Sequence, residues 1–202
     1  THFALYKTIR EKNPTLPYVM VTRPDYRNKS DSEARRQAIL KSYHDALALG
    51  DMTWEKYWVS NNFAYPEYIS TMNRIFTNLP FYHTMGNHDN VLDAAGDFDK
   101  SFLFVETFAP NYYSFNLGKA HFIVMDNLDF TDCPAGKEEY QKNFTKVQLD
   151  WLVEDLKHVD KSTPVFVAMH EVLQRWSGDG WSSPFNGKDA NLEEFAALFS
   201  GY

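Results

Sequence analysis

The sequence predicts an α/β layered domain with a mixed β-sheet, and three observations carry that prediction. Short apolar runs rich in β-branched and aromatic residues alternate with stretches of helical period along the 202 residues, the pattern of layered α/β folds. Two strand-like runs, Tyr112–Leu117 and Ala120–Met125, are separated only by Gly118-Lys119, a two-residue hairpin signal inserted into the alternation. The chain is long enough to bury roughly 70% of its unfolded surface. Its 44% hydrophobic and 16% aromatic content suits a dense core.

The first strand is expected at Tyr18–Thr22, a β-branched run bounded by Pro17 and Pro24. A helix is expected over Ser30–Leu47, with Asp31 or Ser32 as its cap and Ala34, Ala38, Ile39, Leu40 and Tyr43 on one side. Ala46-Leu47-Ala48-Leu49 then leads into Gly50-Asp51. Pro66–Thr77 reads as a helix with proline in its first turn and Ile69, Met72, Ile75 and Phe76 on one face. Phe81–Met85 reads as a strand ending at Gly86. Beyond the hairpin, Val147–His158 regains helical period, with Leu149, Leu152, Leu156 and Val159 in one stripe. Pro164–Met169 is a strand ending at His170, followed by a loop rich in Gly, Trp and Ser. Asn191–Phe199 is helical, and Asn191 with Glu194 has the spacing of a capping box.

Composition narrows the function classes. A net charge of −7 argues against a broad nucleic-acid footprint. It does not exclude phosphate substrates, because a bound cation reverses the local field. No apolar run approaches the roughly 20 residues that span a bilayer. The single cysteine, Cys133, forms no disulfide within the chain and has no evident base beside it. No Gly-rich loop followed by Lys-Ser/Thr is present. The glycosylation triplets at Asn28 and Asn143 are weak signals. Thr1–Pro17 lacks the apolar core of a signal peptide and an initiator methionine, so the chain reads as processed.

Three strand-like segments end in residues of the metal-ligand kind: Gly50-Asp51, Gly86-Asn87-His88-Asp89-Asn90, and His170. Open α/β sheets bind ligands beyond the carboxyl ends of their strands, so Asp51, Asn87, His88 and His170 are expected at one sheet edge. Carboxylate, amide oxygen and imidazole suit Mn, Fe or Zn better than a soft metal. Glycine before Asp51 and before Asn87 permits a sharp turn and close backbone approach. Taken alone, Gly50-Asp51 reads as a turn and His170 as a hydrogen-bonded structural histidine. Their joint order with Gly-Asn-His-Asp-Asn points to a site.

With these residues in that order, the chain resembles the calcineurin-like metallophosphoesterases, the broad family that includes purple acid phosphatases. The resemblance runs from about Tyr18 onward and includes the hairpin Tyr112–Asp126 and Gln148-Leu149-Asp150-Trp151-Leu152. Among its members, the chain looks most like extracytoplasmic bacterial proteins with accessory β domains. The resemblance implies a layered metallophosphoesterase-like α/β sandwich with mixed β-sheets over residues 18–202, and a remnant of an N-terminal accessory segment over 1–17. It implies a secreted or periplasmic protein that hydrolyses phosphate monoesters or diesters of small molecules with two divalent or trivalent metal ions (Mn, Fe or Zn). Asp51 would bridge the ions, and Asn87 and His170 would ligate the second. His88 would be the catalytic histidine at the leaving group, oriented by Asp89. Two cations sharing a carboxylate can bind phosphate and activate water for in-line attack, and an imidazole can protonate the leaving oxygen. Asn90, Trp54 and Trp176 are candidate substrate contacts; packing is the alternative for the tryptophans.

Two departures from the family pattern follow. The first strand leads into Thr22-Arg23-Pro24-Asp25 where the family carries Asp-x-His or Asp-Pro-Gln. Either Arg23 replaces the aspartate and opposes the first metal site, or the register slips and Asp25 is the ligand. The closing Gly-His-x-His is absent from the 202 residues, so the domain is expected to be incomplete at its C-terminal end. The alternative function is a catalytically degenerate binding or scaffold module on the same fold. His83 and His121 read as structural, and Asp126, Asp129 and Asp132 as a solvated turn.

Overall fold

The structure is a computed structural model that describes residues 19–22, 45–52, 64–75, 80–173, 175–176, 181–182 and 191–202. Two three-stranded sheets organise it. The first is parallel, in the order β1 (Val19–Thr22), β2 (Asp45–Ala48), β3 (Phe81–His83). Val21 pairs with Leu47 and Leu47 with Tyr82, so β2 is central. Helix α1 (Ala64–Ile75) and helix α2 (Asp97–Thr107) precede and follow β3. The second sheet holds the hairpin β4 (Tyr113–Leu117) and β5 (Ala120–Val124), closed at Leu117↔Ala120 with Gly118 at φ 61°. Two short strands, β6 (Leu128–Asp129) and β7 (Gln141–Lys142), pair with each other. After α3 (Lys146–Leu156), β8 (Val165–Ala168) joins β5 in parallel. The chain then forms the ribbon of β9 (Arg175–Trp176) and β10 (Trp181–Ser182), and ends its described course with α4 (Leu192–Ala197).

The two sheets meet through aromatic side chains. Tyr82 of β3 stacks on Phe115 of β4 at 3.8 Å. The Tyr113 hydroxyl donates to the His83 carbonyl at 2.9 Å and accepts the His83 N–H at 3.0 Å, which satisfies both groups of that residue. One apolar cluster lies around the ends of β2 and β3 and joins Ala48, Met52, Tyr65, Tyr68, Met85, Phe104 and Phe130. A second lies between the hairpin sheet and α3 and α4, with Ile123, Met125, Phe144, Leu149, Leu152, Leu156 and Phe195. α3 is capped by Thr145, whose side chain accepts the Gln148 N–H, an arrangement worth about 1 kcal/mol.

Several sequence expectations need correction. The helix drawn over Ser30–Leu47 runs too far, because Asp45–Leu47 belongs to β2; residues 30–44 lie outside the described residues. Alanine and leucine fit a helix locally, but pairing with strands on both sides decides the state. Helix α2 has no counterpart in the sequence reading. Its inward face carries Lys100, Ser101 and Phe104 while Phe98, 77% exposed, and Phe102 face outward, so the usual apolar stripe is inverted. The Gly/Trp/Ser-rich loop contains β9 and β10. Asn191 stands at the N-cap of α4, but its side chain makes no capping bond; its amide donates to the Phe144 carbonyl at 2.6 Å and accepts the Phe144 N–H. Asp126 is only 2% exposed rather than part of a solvated turn.

His83 and His121 are structural. His83 stacks on Phe108 at 4.3 Å. The ring nitrogens of His121 face Asn116 Oδ1 and Asp155 Oδ2, each at 2.8 Å. Asn143 of the second glycosylation triplet is only 7% exposed.

Asp126 and His83 give stability a definite pH dependence. Burial, helped by the Asp97 charge, pushes the Asp126 carboxyl from 3.8 up to about 8, although Asn111 and Leu128 donate hydrogen bonds to it. The folded chain therefore holds a proton that the unfolded chain releases above 3.8. This contribution is full below that value and is lost as pH rises through about 8. The slope is up to about 1.4 kcal/mol per pH unit. Burial lowers the His83 ring from 6.5 to about 4, so its contribution is present above 6.5 and lost as pH falls through about 4. The two slopes oppose each other between those limits, and a fall in stability is expected between about 6.5 and 8. In urea unfolding, Asp126→Asn is expected to flatten that fall. A fall of unchanged steepness in the variant would assign it to another group.

Candidate metal centre

The carboxyl ends of β2 and β3 lie side by side in one sheet, and His170, beyond the end of β8 in the other sheet, meets them, so the expected residues gather between two sheets rather than at one sheet edge. β2 ends at Ala48, and the chain turns through Gly50 at φ 90° and Asp51 at φ 55°. Asp51 is the one described non-glycine residue with positive φ, a conformation that aspartate tolerates better than most residues. β3 leads through Thr84, Met85 and Gly86 into a 3₁₀ turn, Asn87–Asp89. β8 delivers His170 two residues beyond Ala168.

Glycine is required at both turns because two backbones touch. A Cβ on Gly50 would lie 2.5 Å from His170 Nδ1 and 2.6 Å from Gly86 Cα. A Cβ on Gly86 would collide with the Asp51 backbone nitrogen and carboxylate. Gly86→Ala is therefore expected to lower the thermal midpoint, at a cost of about 1–3 kcal/mol. An unchanged melt would contradict this packing.

Three donor atoms meet at this point. His170 Nε2 lies 2.9 Å from Asn87 Oδ1 and 3.3 Å from Asp51 Oδ1. His170 Nδ1 lies 2.6 Å from the Leu49 carbonyl oxygen, so Nδ1 carries the proton and donates. Nε2 then faces the Asn87 amide oxygen and the Asp51 carboxylate, and the three are groups of the kind that ligate Mn, Fe or Zn. Two donors bonded to one ion at about 2.1 Å and at a right angle lie about 3.0 Å apart, close to the separations seen here. The carbonyl behind Nδ1 is the usual device that fixes the tautomer of a metal-binding histidine. Among the described residues no group of three or more His, Cys, Asp and Glu forms a metal-ligand cluster; here the third donor is an amide.

The 3₁₀ turn is fixed at several points. Asp89 is fully buried, and its carboxylate accepts the Gly86 N–H at 2.8 Å. Its carbonyl accepts the Tyr65 hydroxyl at 3.0 Å. Asp89 thus fixes His88 through the turn that carries it. The His88 N–H donates to Asp51 Oδ1 at 3.3 Å. Asn90 has a different place from the substrate contact expected of it. It is fully buried, its Nδ2 donates to the Asn87 carbonyl at 2.7 Å, and its Oδ1 faces Lys100 Nζ. Asp25, Arg23 and Trp54 lie outside the described residues, and Trp176 is placed on β9.

Four neighbours escaped the sequence reading. The Asn127 amide grips the Glu171 backbone, donating to its carbonyl at 2.8 Å and accepting its N–H at 3.1 Å. Glu171 Oε1 in turn receives the Tyr140 hydroxyl at 2.7 Å and Lys142 Nζ at 2.9 Å. Burial raises the Glu171 carboxyl, but the bonds from Lys142 and Tyr140 outweigh it and leave the group below its ordinary value. Burial, the bond to Glu171, and the charges of Glu171 and Asp51 push the Tyr140 hydroxyl up. These residues brace the position after His170, and no spacing rule links positions so far apart in the chain.

Comparison with solved structures bears on this arrangement. A dimetal phosphatase from Danio rerio matches with a TM-score of 0.57 at 11% sequence identity, over 91% of this chain and 76% of that one. The chain shares the fold of that protein. At this identity the likeness concerns the fold alone, and it agrees with the layered metallophosphoesterase-like architecture expected from the sequence. Neither a protein-family model nor a curated protein matches the chain. No helix among the described residues is long and apolar enough to cross a membrane.

Proposed function

We propose that the protein is a metal-dependent phosphoesterase of the calcineurin-like kind, acting on small phosphate esters at the convergence of β2, β3 and β8. The observation that carries this reading is the approach of His170 Nε2 to Asn87 Oδ1 and Asp51 Oδ1, at 2.9 and 3.3 Å. Asp51, Asn87 and His170 would hold metal there. When bound, Mn, Fe or Zn ions supply Lewis acidity for phosphoryl oxygens and make water a better nucleophile at neutral pH.

The protein's own residues do the rest. Leu49 holds the Nδ1 proton of His170 and keeps Nε2 available as a donor. Gly50 and Gly86 let the two turns approach closely enough to bring the donors together. The His88 imidazole, carried by a turn fixed through Asp89, delivers a proton to the leaving-group oxygen. A secreted or periplasmic location belongs to the same proposal and rests on the resemblance alone.

Hydrolysis of an aryl phosphate and a bis-aryl phosphodiester, with Mn, Fe or Zn added and after chelation, tests the activity. Metal-dependent turnover of either substrate is expected. Absence of turnover under every condition, by protein that does bind metal, would favour a degenerate binding module on this fold.

A further inference from the structure

We infer that Lys100 is a positioning residue for the metal donors, acting through the Asn90 amide on the backbone of Asn87. The inference rests on the proposed metal centre, because the atoms it positions belong to that donor set. Lys100 lies on α2 and is fully buried, a rare place for an ammonium group unless all its protons are matched. Its Nζ donates to the carbonyl oxygens of Lys137 at 2.9 Å, Leu92 at 3.2 Å and Val91 at 3.4 Å, and to Asn90 Oδ1 at 3.5 Å. The backbone adds a further tie, since Val91 N–H donates to the Lys100 carbonyl at 2.9 Å. One buried cation therefore gathers the segment that follows the Asn87–Asp89 turn.

The Asn90 amide transmits this to the site. With Oδ1 toward the ammonium, Nδ2 faces the Asn87 carbonyl and donates at 2.7 Å. The opposite orientation would set NH₂ against the ammonium and oxygen against the carbonyl oxygen, so the cation selects the amide's direction. The Asn87 backbone is thereby anchored at its carbonyl while its side-chain Oδ1 reaches His170 Nε2 at 2.9 Å. Supporting contacts of this type commonly change metal affinity by about 10–100-fold when removed.

Cobalt titration of the full chain, read by ligand-field absorption alongside a thermal melt, tests the relay. Asn90→Asp keeps a partner for Lys100 but cannot donate to the Asn87 carbonyl. Its melt is expected to fall, because a carboxylate oxygen then faces the Asn87 carbonyl, and Co²⁺ affinity is expected to fall about 10–100-fold with a shift of the absorption bands. Lys100→Met is expected to melt earlier and, where folded, to show the same affinity loss, with little further loss in the double variant. Wild-type affinity and bands in Asn90→Asp would overturn the inference, whether or not Lys100→Met folds. A wild-type protein that binds no Co²⁺ would overturn the metal centre itself and the relay with it, so the two failures are distinguishable.

Discussion

Asp51→Ala is expected to abolish metal binding and phosphoester hydrolysis together. The carboxylate is the one anionic donor of the described set, and its Oδ1 receives both the His88 N–H and the approach of His170 Nε2. Without it, His170 and Asn87 remain with no anionic donor beside them to hold a cation. Loss of several kcal/mol of Lewis-acid stabilisation corresponds to a fall in kcat/KM on the order of 10³-fold or more. Alanine at φ 55° also adds backbone strain. Asp51→Asn separates the two effects, since asparagine accepts this conformation but lacks the charge. Both variants are expected to lose metal, and only alanine to lower the thermal midpoint appreciably. Retention of metal by Asp51→Asn at wild-type affinity would remove Asp51 from the centre.

His88→Ala is expected to keep most of the metal and lower turnover by about 10²–10⁴-fold, the scale of general acid–base catalysis. The bond that ties this residue to Asp51 is made by its backbone N–H, so truncating the ring leaves the Asp51 contact in place. The loss should shrink for substrates whose leaving group departs without protonation. A variant that loses its metal, or slows good and poor leaving groups equally, would make His88 a ligand or a structural residue instead.

The fold class was legible in the sequence, and so was the meeting of Asp51, Asn87 and His170. Gly50-Asp51, Gly86-Asn87-His88-Asp89 and His170 each follow an apolar strand; parallel pairing sets the first two side by side, and His170 reaches them from the second sheet. Local chemistry predicts the close glycine approach as well, because only glycine leaves room for two turns in contact. Helix α2 was not legible, since it turns Phe98 and Phe102 outward and Lys100 inward. Asn90 illustrates the same limit within the site. Its neighbours in sequence mark it as a substrate contact, but a lysine ten residues away occupies one end of its amide. The contribution of Asn127 and Glu171, 44 residues apart, arises only once β8 lies beside β5.

Anomalous diffraction from crystals of the protein grown with Mn²⁺ or Zn²⁺ tests the central claim most directly. The account predicts an anomalous peak within about 2.0–2.3 Å of Asp51 Oδ1, Asn87 Oδ1 and His170 Nε2 together, lost in Asp51→Asn. Full occupancy of metal elsewhere, or His170 Nε2 bonded directly to Asn87 with no peak at saturating metal, would contradict it.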